Sequence, residues 1–196
     1  MLFLLVGCVT VLPAESPADN DAAADVEDAD ETIPRPPGTL SAERFLVTRE
    51  ATTYLGTPYA SPANVPATFD CSAFVSHVYA RAGYSLPRSS SMYRNVGTRI
   101  PWEDAQPGDI LVFSRSRGSN VINHLAILWK KSDSGALAGS WIIHAISVSS
   151  RTAMKYGNPA TATGIVITEL GLTVNGVVEN EYFYQRFMFC TRVLEE

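Results

Sequence analysis

Histidine and cysteine are scarce in this chain, with three of each among 196 residues. An odd cysteine count leaves at least one thiol unpaired, which excludes a disulfide framework as the source of stability. No apolar run reaches the roughly 20 residues that a membrane-spanning helix needs; the longest, at the amino terminus, stops near Pro13. There is no glycine-rich phosphate loop and no internal repeat. There is also no basic stripe. Net charge is −5, and it is unevenly spread: residues 1–40 hold eight acidic side chains against Arg35, which leaves 12 acidic and 14 basic residues beyond them. A near-neutral remainder makes nucleic acid an unexpected partner.

The segments that are present read as three units. Residues 1–13 are expected to be a secretory signal. Leu5-Val6-Gly7-Cys8 resembles the bacterial lipobox, so Cys8 is the expected lipidation site and a membrane the expected partner through a lipid anchor; a conventional signal cut near Ala14 is the alternative. Residues 14–40 are rich in Ala, Asp, Glu and Pro and offer almost nothing apolar to pack, which predicts a disordered acidic linker. Residues 41–196 form the remaining, folded unit.

Within it, Ser41 as N-cap and Gly56 as stop bound a helix reaching Leu55, and Asp70 and Gly83 bound a second over Cys71 to Ala82. Phe74, Val75, Val78, Tyr79 and Ala82 recur at spacings of three and four, giving that helix one apolar face. A third, short helix is expected near Ser89 to Asn95. After Gln106-Pro107-Gly108-Asp109 the pattern changes. Ile110–Phe113, Val121–Trp129, Trp141–Val148, Ile165–Leu170 and Tyr182–Val193 are rich in β-branched and aromatic residues. Helices first and strands afterwards predict an α+β fold with a largely antiparallel sheet of five to six strands.

Cys71 stands at a predicted helix start, where the dipole and free backbone N–H groups favour a thiolate. Cys190 reads as a buried small hydrophobe. A thiol nucleophile needs a base, and three histidines are available. His77 lies six residues along the same helix and points elsewhere, as a partly buried helix histidine. His124 and His144 each interrupt an apolar strand. In an antiparallel hairpin centred on Ser134 they stand directly opposite, with Cβ atoms roughly 4.5–5.5 Å apart. Two buried rings bonded only to each other, or a two-histidine metal site, are alternatives, although no third ligand has a suitable spacing. In the catalytic reading His124 takes the Cys71 proton and His144 orients the His124 ring.

Asp70-Cys71-Ser72-Ala73-Phe74-Val75 resembles the nucleophile motif of the NlpC-type cell-wall peptidases, a papain-like group. Gly56-Thr57-Pro58-Tyr59, Leu86-Pro87-Arg88-Ser89-Ser90, Gln106 to Phe113, His124-Leu125-Ala126-Ile127, Ile143-His144-Ala145 and Tyr184 to Val193 resemble the other blocks, in the family's order. The resemblance implies a papain-like arrangement in which Cys71 is the nucleophile, His124 the base and His144 the orienting residue. It implies that Tyr59, Asp70, Ser72, Arg88, Ser89 and Ser90 face substrate, with Asp70 also capping its helix. Relatives usually carry Trp-Gly-Gly after the tyrosine, where this chain has Ala60-Ser61-Pro62, and Gly where it has Ala73. The hairpin loop and the segment from Ser150 to Gly164 are long by comparison.

The implied activity is hydrolysis of peptidoglycan stem peptides, typically between D-γ-glutamyl and a diamino acid, through an acyl-enzyme. No metal or organic cofactor is implied. A monomer in the bacterial cell envelope is expected. Two other readings stand beside it: a papain-like amidase or acyltransferase on a non-cell-wall substrate, and a non-catalytic wall-binding lipoprotein.

Overall fold

A computed structural model describes residues 40–147, 163–171, 173–174, 177–178 and 181–194. The expected signal with Cys8, nearly all of the acidic linker and most of the segment between Ser150 and Gly164 lie outside the described residues.

The first helix, α1, runs over Ala42–Thr52, with extended Ser41 at its N-cap. It stops short of Leu55 because the Thr52 and Thr53 hydroxyls turn back onto the carbonyls of Arg49 and Glu50, each at 2.7 Å. The second, α2, covers Cys71–Arg81, and Asp70 caps it by accepting from the Ala73 N–H at 2.7 Å. Phe74, Val75, Val78 and Tyr79 are fully buried, as their spacing predicts, while Ala82 lies just beyond the helix and is half-buried. The third helix is a 3₁₀ stretch, Ser90–Asn95.

Six strands form one antiparallel sheet: β1 (Thr98–Ile100), β2 (Ile110–Ser114), β3 (Ile122–Lys130), β4 (Trp141–Ile146), β5 (Gly164–Glu169) and β8 (Phe187–Arg192), in the order β1-β8-β2-β3-β4-β5. A separate two-stranded ribbon pairs β6 (Thr173–Val174) with β7 (Val177–Val178). The α+β expectation holds. Strand β2 is buried at every position because both faces of the sheet are covered. Ile110 and Val112 join Val47, Phe74 and Tyr79 in the core beneath the helices; Leu111 and Phe113 join Ala126, Ile142 and Phe183 on the opposite face.

Two expectations need correction. Tyr182–Val193 is not one strand: Glu181–Tyr184 is a single helical turn, α3, and β8 starts at Phe187. The aromatic residues that suggest a strand there are held in a turn closed by the Arg186 N–H on the Phe183 carbonyl at 3.0 Å. Nor is the β3–β4 hairpin centred on Ser134. Ile127 pairs with Ile143 and Leu128 with Ile142, and a bulge follows before Lys130 and Trp141. The connection is an asymmetric loop. Gly135, at φ 75°, closes a tight turn onto Ser132, whose N–H donates to Ser140 Oγ at 2.9 Å. The register therefore moves by two residues relative to a symmetric hairpin. An even shift keeps every side chain on its face, so His124 and His144 become diagonal neighbours on the same surface.

One turn ties these layers together. Asp109 is fully buried and pairs with Arg44 of α1 at 3.1 Å and with Arg192 of β8 at 3.0 Å, while its Oδ2 accepts from the Gln106 N–H. Tyr79 of α2 donates to the Gly108 carbonyl. Asp109→Ala would leave the Arg44 guanidinium, 2% exposed, without its carboxylate. We expect a loss of about 3–5 kcal/mol in urea unfolding.

Candidate active site

Cys71 is the first residue of α2, and its side chain lies against β3. The β3–β4 ladder stops at Ile127–Ile143, and beyond it β3 offers its backbone to Cys71 instead. Sγ sits 3.9 Å from the Asn123 carbonyl, and the nearby Leu125 N–H favours its thiolate form. The sulfur thus lies beside the backbone that flanks His124, while the hydrogen bond of the His124 ring is made to His144.

His124 Nε2 lies 2.9 Å from His144 Nδ1, and His144 Nε2 lies 2.9 Å from Thr168 Oγ1. Phe183 of α3 covers both imidazoles with ring centroids 4.8 Å away, and Phe113 flanks His124 at 5.8 Å. His144 is fully buried and His124 half-buried. Burial lowers the pKa of both, and for His144 the neighbouring His124 charge lowers it further. Both rings rest neutral at ordinary pH.

The thiol departs from expectation. Backbone N–H groups of Leu125, Ser72 and Cys71 all favour thiolate, as a helix start should. Burial outweighs them, and with the Asp70 charge it pushes the Cys71 thiol up to about 11. The helix start lessens the cost of forming thiolate here without producing a standing one.

The residues expected to face substrate gather beside α2. Asp70 Oδ1 caps the helix and receives the Ser72 hydroxyl at 2.8 Å; that hydroxyl also lies 2.7 Å from the Arg88 carbonyl. The Arg88 guanidinium approaches Asp70 Oδ2 at 3.8 Å and is about half exposed. Tyr59 bridges to Phe69 next to the cap, and burial, together with the Cys71 and Asp70 charges, raises its hydroxyl pKa. Ser89 bonds to Ser91 on the surface, and Ser90 opens the 3₁₀ stretch. A cleft of about 290 Å³ adjoins Arg88 on the side of α2 that carries His77, between Val65, Ala73 and Leu86, and is not lined by Cys71. His77 is half-buried and bonded to the Tyr54 hydroxyl at 2.8 Å, away from this chemistry, and Cys190 is buried in the opposite core.

Three contributors escape a reading of the sequence. Thr168 is an ordinary strand residue, Phe183 lies in a segment that reads as β, and Tyr93 reads as one more apolar helix residue. Tyr93 is fully buried with its hydroxyl unpartnered; burial raises the pKa of that hydroxyl, and the nearby Cys71 adds to the rise. Among the described residues, no further histidine, cysteine or carboxylate joins the histidine pair in a metal-binding group, and no helix is long and apolar enough to cross a membrane.

With a thiol this high, alkylation of Cys71 by iodoacetamide should climb about tenfold per pH unit between about pH 7 and pH 9. Peptide mass spectrometry separates it from the other cysteines. A rate that levels off below pH 8 would reveal a standing thiolate.

The model of the NlpC/P60 family matches residues 56–165. A probable endopeptidase p60 of Listeria innocua is 42% identical over 78 residues, which is 40% of this chain and 16% of that protein. The chain therefore spans about one-sixth of the length of such curated relatives. A Staphylococcus aureus protein of the NLP/P60 family, described as similar to lipoprotein, superposes with a TM-score of 0.57 at 23% identity, covering 85% of this chain and 45% of that one. The NlpC/p60 domain of the peptidoglycan hydrolase SagA gives a TM-score of 0.51 at 24% identity, covering 76% and 98%. At these identities the structural likenesses speak for fold.

Proposed function

Because the chain belongs to the NlpC/P60 family, we propose that its folded unit, residues 41–196, hydrolyses peptide bonds in peptidoglycan stem peptides, with Cys71 as nucleophile, His124 as base and His144 as orienting residue. The observation that carries this reading is the seat of Cys71 Sγ beside the β3 backbone that flanks His124, whose ring is bonded to His144 at 2.9 Å. The names of relatives support it: they include probable endopeptidases and a peptidoglycan hydrolase.

The chemistry follows from the charges. Thiol and imidazole both rest neutral, so the thiol proton moves to His124 as sulfur attacks the carbonyl carbon, and no ion pair forms beforehand. The carbonyl oxygen gains negative charge, and the donor assigned to it is the Cys71 N–H, at the first residue of α2. Collapse breaks the C–N bond, and His124 returns its proton to the leaving amine. Water, deprotonated by His124, then attacks the thioester; the acid product leaves and the thiol is restored.

Tyr59, Asp70, Ser72, Arg88, Ser89 and Ser90 are assigned to the substrate side. Asp70 Oδ2 and the half-exposed Arg88 present opposite charges there, suited to an amine and a carboxylate of a stem peptide. The bond between D-γ-glutamyl and the diamino acid is the first candidate for cleavage. Export and attachment to the cell envelope through a lipid on Cys8, the acidic linker over residues 14–40 and a monomeric state complete the proposal.

Digestion of purified muropeptides, read by mass spectrometry, tests it. Wild type should release fragments that identify the bond, Cys71→Ala should release none, and His124→Ala should lower the rate by about 10²–10⁴-fold. Intact muropeptides beside a Cys71 that still accepts an acyl ester would overturn the assignment of substrate.

A further inference from the structure

The hydrogen-bond chain that starts at His124 continues past His144 to Thr168 on β5, and the unprotonated nitrogen that a base needs depends on how that chain ends. We propose that Thr168 is a positioning residue that sets the tautomers of both histidines. By accepting the Nε2–H of His144, it leaves Nδ1 of His124, the nitrogen not engaged by His144, free to take a proton. The inference rests on the thiol mechanism above.

The argument is a count of protons. Both rings are neutral, so each carries one N–H. The 2.9 Å contact between His124 Nε2 and His144 Nδ1 must hold a single proton, since two would collide and none would set two lone pairs against each other. Two arrangements satisfy this. In the first, His124 Nε2–H donates to His144 Nδ1, His144 Nε2–H donates to Thr168 Oγ1, and His124 Nδ1 bears a lone pair. In the second, the Thr168 hydroxyl donates to His144 Nε2, His144 Nδ1–H donates to His124 Nε2, and His124 Nδ1 already holds a proton. Only the first gives a base.

The role of His124 as base selects the first, because its Nε2 is engaged by His144 and Nδ1 is the nitrogen left to take a proton. Thr168 is also held in place. It pairs with Ile142 in a six-pair β4–β5 ladder, which sets it diagonal to His144 on one face. The Gly56 N–H donates to the Ile165 carbonyl and the Ile165 N–H to the Thr57 carbonyl, both at 2.9 Å, pinning the start of β5.

The test uses the full chain labelled with ¹⁵N-histidine, with muropeptide hydrolysis measured on the same samples. In wild type, NMR should show His124 and His144 both protonated at Nε2 and bare at Nδ1. Thr168→Val keeps the shape and removes the acceptor. It should mix the tautomers of both rings and lower kcat by about tenfold or more with KM within about twofold, because tautomer control acts on the chemical step and not on binding. Thr168→Ser should restore both readings. Rings in the opposite tautomers in wild type would overturn the proposal even if the valine variant failed to fold. A kcat loss with unchanged tautomers, a valine variant that behaves as wild type, or a serine variant that restores nothing would also overturn it. If wild type cleaves no muropeptide, the tautomers still decide the role of Thr168, and it is the functional assignment that falls.

Discussion

The buried carboxylate of Asp109 is the point from which the rest of the structure is held. It stands at the entry to the central strand β2, and it draws Arg44 of α1 and Arg192 of β8 onto itself. One residue earlier, the Gly108 carbonyl receives the Tyr79 hydroxyl from α2. Three elements far apart in sequence are thereby fixed to one turn. A buried charge is expensive unless its partners are in place, so the turn tolerates few alternative packings of the helices on the sheet. The consequence for the site is direct: α2 carries Cys71 at one end and Tyr79 near the other, and anchoring Tyr79 fixes where the sulfur meets β3.

Burial sets the electrostatic character of the site. Phe113 and Phe183 keep water from the histidine pair, and the cost of charging a ring there holds both neutral. The same exclusion raises the thiol, against the pull of three backbone N–H groups. The opposing effects favour the neutral form of the thiol and of both imidazoles, beside the charged pair of Asp70 and Arg88. Preorganised N–H dipoles act most strongly on charge that appears late and in a dry environment.

Much of this is legible in the sequence. The cap at Asp70, the apolar face of α2 and five of the six main strands follow from residue type and spacing alone. The missing strand, Thr98–Ile100, is three residues long, too short to show a period. α3 is hidden because Tyr182, Phe183 and Tyr184 have the composition of a strand and are held helical by tertiary contacts. The hairpin register misses because loop closure by Ser132, Gly135 and Ser140 is asymmetric, and side-chain hydrogen bonds of that kind leave no periodic mark. Parity protected the main inference, since a shift of two residues preserves the face. Thr168 and Tyr93 were beyond reach for another reason: each matters through a single polar atom whose partner, or lack of one, exists only in three dimensions.

The pinning of β5 to Gly56 and Thr57 bears on how this fold tolerates change. Gly164, at φ 113°, approaches so closely that an added Cβ would meet the Thr57 carbonyl oxygen at 2.5 Å, so the strand is fastened at its first residue. β4 is fastened on the other side by its ladder with β5, through Ile146 paired with Gly164. The chain between Ile146 and Gly164 therefore leaves and re-enters the sheet at one clamped pair. Lengthening such a closed segment is cheap, about 0.6 kcal/mol for each doubling. Residues can be added or exchanged between those two points without moving His144 or Thr168. This is where the fold can acquire a new recognition surface, or accept an engineered one, while its chemistry stays in place.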